Sequence, residues 1–299
     1  MMRMIEFAFA DINGGQEILG AEDEYLTRLT AGERLLRAKK STPISNKEFA
    51  DFLNGCVLPW TEKEINRLNG ILDYVQHRLA KIRLNIGQPI SFIKTNGKEE
   101  WNSAYSRAGA IILPEARLQS YDNRKLERLI IHEIFHVISR TFPGVRNILY
   151  GLLGFNKINE IEIPGELLSR KLTNPDAPYN NYFISVFYRK KKVAVLPVVF
   201  LEKGFANVDS GQDILNSVTV KLLVLTKENK SWRVAAKDGN PVLLNRNEVD
   251  GLEEQVYSSA HDFFHPEETL AEFFTGIVMG DEGVISLKVS PKIKDILFN

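Results

Sequence analysis

Cysteine is almost absent from the chain: Cys56 stands alone among 299 residues, which excludes an intrachain disulfide. Its neighbours in FLNGCVLPW mark it as a small buried hydrophobe rather than a reactive thiol. An excess of either charge is missing as well, with 38 basic residues against 38 acidic and a formal net charge of zero. That balance gives no overall pull toward nucleic acid or acidic membranes, so neither is expected as a partner. No run approaches the ~18–20 apolar residues of a membrane span. The leading MMRMIEFAFADINGG is too short in apolar residues for a signal peptide and is interrupted by Glu6 and Asp11. A cytoplasmic protein is the expectation, with a trimmed signal peptide as the alternative. Internal repeats and low-complexity tracts are also missing.

The length suits one large domain or two modest ones and is ample for a core without covalent staples. The first third reads as helices. Ser45 with Glu48, and Thr61 with Glu64, have capping-box spacing. The second pair opens a helix from Glu62 to about Arg83, with Ile65, Leu68, Leu72, Val75 and Leu79 on one stripe and His77 off it. Strands are expected at 89–93 and 108–113, and a helix from Asn123 to Arg140 that stops before Phe142-Pro143-Gly144. Short helices and a turn-rich Thr173–Pro178 follow. From 181 to 244 the pattern alternates, predicting the hairpins Tyr182–Tyr188 with Val193–Leu201 and Val218–Thr226 with Trp232–Ala236. The basic run Arg189–Lys192 falls at a solvated hairpin tip.

The chemistry sits in LIIHEIFHVISR, residues 129–140. His132 and His136 are four apart, so a helix stacks them on one face, where two imidazole nitrogens suit tetrahedral Zn²⁺. Glu133, one residue round, lies beside such an ion and can take a proton from a water whose acidity the metal has raised. The surrounding residues are apolar, and two histidines and a carboxylate buried without partners would be costly. In a chain with only five histidines, this spacing is a rare coincidence.

A third ligand is expected on a helix opening at Pro266, a residue suited to the first helical position. Glu268 and Glu272 then share a face while Glu267 points elsewhere. This places Glu268 on the metal and Glu272 on the free ring N–H of a ligating histidine. Acidic residues favoured in a first turn would explain Glu267 and Glu268, but not Glu272.

His132-Glu133-Ile134-Phe135-His136 with Glu268-Thr269-Leu270-Ala271-Glu272 downstream resembles the gluzincins. These are zinc metallopeptidases whose third ligand is a glutamate on a second helix. The usual E-x-x-A-D segment here ends in Glu272, which lengthens that supporting arm. The resemblance covers roughly residues 105–140 and 255–280. The two motifs lie much farther apart than in the compact gluzincins, so the resemblance reaches the clan and no single family.

The resemblance implies a tyrosine or histidine facing the scissile carbonyl, and Tyr257, His261 and His265 are candidates, His265 also fitting a helix cap. It further implies that strand 108–113 is the edge to which a peptide adds, the alternative being an ordinary core strand.

The expected fold is α+β. A helical N-terminal part (1–88) precedes a zincin-like core (89–180), a β-rich insertion (181–246) packed beside the cleft, and a helical C-terminal part (247–299). The expected function is zinc-dependent peptide hydrolysis, with Glu133 as general base and then acid. Its rivals are a zinc hydrolase of a non-peptide amide or ester, and a non-catalytic, zinc-stabilised binding protein.

Overall fold

The computed structural model describes residues 5–202, 205, 214, 217–256, 265–281 and 289–298. Its helices are α1 (Ile12–Gly20), α2 (Ala31–Arg37), α3 (Asn46–Asn54), α4 (Glu62–Leu79), α5 (Glu115–Ser120) and α6 (Asn123–Thr141). They continue with α7 (Pro143–Leu152), α8 (Gly165–Leu168), α9 (Leu252–Val256), α10 (Pro266–Met279) and α11 (Ser290–Leu297). Both expected capping boxes are present, at Ser45/Glu48 and Thr61/Glu64, and a third forms at Thr30/Glu33. His77 is exposed, and Cys56 is buried with its thiol pushed up to about 12, chiefly by that burial.

A four-stranded sheet joins β1 (Phe7–Phe9), β2 (Ile90–Thr95), β3 (Tyr105–Arg107) and β4 (Ala110–Pro114) in the order β1-β2-β4-β3. The first three in that order run parallel, and β3 is antiparallel to β4. Alternate residues of β2 and β4 serve two cores. Phe92, Ile111 and Leu113 pack in the cluster that holds α4, α6 and α10, while Ile93, Ala110 and Ile112 face Leu19, Phe49 and Leu53 of α1 and α3. A sheet covered on both faces explains the unbroken apolar run Ala110–Leu113.

Two expectations are corrected here. The N-terminal part is not wholly helical: Phe7–Phe9 forms a strand on β2, and three residues are too few for alternation to reveal it. Residues 108–113 are not the edge. Ala108 and Gly109 make the positive-φ turn between β3 and β4, and β4 lies inside the sheet, paired on both sides.

The alternating region builds a larger antiparallel sheet on β7 (Tyr182–Tyr188), β8 (Lys191–Leu201), β9 (Val218–Glu228) and β10 (Ser231–Val234). Arg189 and Lys190 form the exposed positive-φ turn at the first hairpin tip. Strands from outside 181–246 also join: β5 (Phe155–Lys157), β6 (Lys171–Leu172) and β11 (Val249–Asp250). Tyr182, Ile184, Val186 and Val195 share the main apolar cluster with α6 and α10, so this sheet packs on the helical core. Among the described residues, no helix is long and apolar enough to cross a membrane.

Candidate metal centre

Helix α6 starts at Asp122, whose side chain accepts the Lys125 N–H at 2.8 Å, and ends where Pro143 begins α7. Leu126, Ile130, Ile134 and Phe135 anchor it in the core, and Phe135 meets Phe274 of α10 with ring centroids 5.5 Å apart. Helix α10 opens with His265 as cap and Pro266 in its first turn, and closes on Gly280 at φ 71°. The two helices lie against each other and bring their polar residues together.

His132 Nε2 lies 3.3 Å from Glu268 Oε2, and His136 Nε2 lies 3.7 Å from the same oxygen. One ligand atom from each of His132, His136 and Glu268 falls within 4.8 Å of the others. Each ring is held from behind by a carboxylate. Glu272 Oε1 is 3.2 Å from His132 Nδ1, and Glu267 Oε1 is 2.9 Å from His136 Nδ1. A carboxylate only accepts, so both contacts call for a proton on Nδ1, and Nε2 of each ring faces Glu268.

The expectation that Glu267 points elsewhere is therefore wrong. Glu267 is buried and takes hydrogen bonds from His136, from Ser139 Oγ at 2.7 Å and from the Tyr150 hydroxyl. Helix α10 crosses α6 so that Glu268 sits between the histidines, leaving Glu267 and Glu272 on either side. Two histidines needing two supports was a signal for it in the sequence. Nothing local pointed to Ser139 or Tyr150.

The loop before β7 contributes two further groups that sequence reading took only as a turn. Asn174 Nδ2 donates to Glu268 Oε1 at 2.6 Å, which leaves Oε2 for the histidines. Asp176 accepts the Ser106 backbone N–H at 2.7 Å and the Ser106 hydroxyl at 2.8 Å. That N–H points outward from β3, one edge of the sheet, and is taken by Asp176. Asp176 also forms a second close trio with Glu133 and His136.

Glu133 is buried, and among the described residues its Oε2 has no hydrogen-bond partner. Burial first, and then the Asp176 charge, push its carboxyl up to about 8 against the pull of both histidines. For His136, burial acts downward but Asp176, Glu268 and Glu267 outweigh it, raising the ring to about 9. His132 is likewise raised despite burial, by hydrogen bonds to Glu268 and Glu272. Glu268 is held below the usual carboxylate range: burial opposes this, but the two histidines prevail. Five acidic side chains around two rings thus create a strong demand for positive charge, met by histidine protons or by a cation.

His265 caps α10, its Nδ1 accepting the Glu267 N–H at 3.2 Å. Burial lowers its pKa, so the ring is neutral near pH 7 and carries its proton on Nε2. Tyr257 and His261 lie outside the described residues.

No family model matches this chain, and no curated protein or solved structure matches it either.

Proposed function

We propose that the chain is a zinc-dependent metallopeptidase with a zincin-like core, in which His132, His136 and Glu268 hold the metal and Glu133 is general base and acid. The observation that carries this reading is the spacing of the donor atoms. Bonds of ~2.0–2.1 Å at tetrahedral angles put neighbouring donors roughly 3.3 Å apart. The His132–Glu268 and His136–Glu268 separations are 3.3 and 3.7 Å. The carboxylates behind both rings, and Asn174 on the spare oxygen of Glu268, orient this set as the outer partners of metal ligands do.

Bound there, zinc would supply a Lewis acid that acidifies a water and polarises a carbonyl oxygen. The remaining work falls to the chain. Glu133 accepts the proton of the attacking water on its unpartnered Oε2, then returns it to the nitrogen of the leaving amine. A purely structural site has no need of an unpartnered buried carboxylate, whose cost would be on the order of 1–3 kcal/mol or more. This argues for turnover over a zinc-stabilised scaffold. Of the three oxyanion candidates, His265 is the one among the described residues; no Nε2 hydrogen bond joins it to those residues, and it lines the cavity with Glu268.

The test pairs metal content with hydrolysis of a blocked peptide library. Glu133→Gln should keep about one zinc per chain while its rate falls by ~10²–10⁴-fold or more. A Glu133→Gln rate within a few-fold of wild type would remove Glu133 from the mechanism. Hydrolysis of simple esters or non-peptide amides with no peptide cleavage would assign the site to a different hydrolase.

A further inference from the structure

Between the metal centre and the large sheet lies a cavity of about 290 Å³. Glu268 and His265 line it, and Pro197, Val198 and Val199 of β8 supply apolar surface. Arg37, Lys171 and Trp101 line it as well. None of these three takes part in the metal site.

Their hydrogen bonds are incomplete. Arg37 is 1% exposed; its Nε donates to Glu100 at 2.8 Å and its Nη2 to the Thr173 carbonyl at 2.9 Å. Its Nη1 has no hydrogen-bond partner among the described residues but forms an ion pair with Glu33 at 3.5 Å. Trp101 Nε1 is also buried and unpartnered among those residues, with the Arg37 guanidinium 5.0 Å from its ring. Lys171 is 4% exposed, and its ammonium donates to Thr173 Oγ1 at 2.5 Å. No carboxylate of the described residues lies within ion-pair distance of Lys171.

Two of the nearby acids pair with Arg37, but none among the described residues pairs with Lys171 or accepts from Trp101 Nε1. Glu33 is engaged by the Thr30 and Thr173 N–H groups and the Thr173 hydroxyl, and Glu100 by Arg37 and the Tyr25 hydroxyl. Glu268 and Asp176 face the metal-site histidines, where a cation would offset their charge. What remains is a surplus of donors and, among the described residues, one ammonium with no carboxylate at ion-pair distance. Such groups are costly to bury alone and call for an anionic acceptor.

Resting on the peptidase reading, we infer that this cavity is the specificity pocket beside the scissile bond. It binds a carboxylate of the substrate, set between Lys171 and Arg37 with the aliphatic stem along β8. Two sources share that chemistry: an internal Glu or Asp side chain, and a free C-terminal carboxylate.

The experiment measures affinity in zinc-loaded Glu133→Gln protein, where turnover does not interfere, alongside cleavage by wild type. The probes are blocked peptides with Glu, or Gln in its place, and a matched pair with free and amidated C-termini. One member of a pair should bind about 10–100-fold more tightly than its neutral counterpart, the range expected for a buried charge-assisted contact. A preference within the Glu/Gln pair assigns the side chain, and one within the second pair assigns the terminus. Lys171→Met should bring that ratio to near one, with retained zinc reporting that the variant is folded. If Lys171→Met loses zinc, Lys171→Gln takes its place in the same comparison. Equal affinities within both pairs, or a preference that survives loss of the ammonium, would overturn the inference. Cleavage without preference leaves the peptidase reading standing, whereas preferential binding without any cleavage removes that reading and keeps the pocket.

Discussion

Stripping the metal should leave a protein whose stability falls as pH rises from about 5 to 9. In the metal-free site His136 is raised from 6.5 to about 9 and His132 is raised as well. A group whose folded pKa lies above its unfolded value contributes stability that is complete below the unfolded pKa. That contribution is lost as pH climbs through the folded one. For His136 the shift corresponds to roughly 3 kcal/mol, present near pH 6 and gone above about pH 9.

Glu133, raised from 4.5 to about 8, adds a loss of the same sign that begins lower. The carboxylates held below their ordinary range, Glu267, Glu268 and Glu272, act only on the acid side of pH 4.5 and leave this window alone. Zinc competes with the same protons, so below the histidine pKa values its binding should strengthen by up to about tenfold per ring for each unit that the pH rises. Urea denaturation of chelated and zinc-loaded protein across this range checks both limbs. The stabilisation by zinc should widen with pH while the metal-free protein weakens. A metal-free stability that is flat or rises between pH 6 and 9 would refute the charge account of the site.

Other perturbations follow from the same contacts. Glu267→Gln, which removes the carboxylate behind His136, should weaken zinc binding by about 10–100-fold in a chelator competition. Asn174→Ala frees the second oxygen of Glu268 and should also lower zinc affinity, by less than Glu267→Gln, since the metal ligand itself is retained. Phe274→Ala empties a fully buried ring site against Phe135 and should cost ~3–5 kcal/mol in urea denaturation of the zinc-loaded protein.

The HExxH helix and its glutamate partner were legible because residues three and four apart on a helix share a face wherever that helix goes. The capping boxes, the Pro266 start and the hairpins turning at Arg189-Lys190 were legible for the same reason: each is a local rule. Glu267 was misread because its role depends on the side from which α10 crosses α6, which is a tertiary quantity. The edge strand was misplaced because strand order does not show in the apolar run of β4. Thr173–Pro178 was recognised as a turn, but its delivery of Asn174 and Asp176 into the site depends on β6 and β7 joining one sheet. Three residues of β1 could not reveal themselves at all.

The most direct measurement is the return of peptide hydrolysis as zinc is added back to chelated protein. The account predicts no cleavage without metal and a linear recovery that saturates at one zinc per chain, with no recovery in His136→Ala or Glu268→Ala. Full cleavage by metal-free protein, or recovery in either ligand variant equal to wild type, would contradict it.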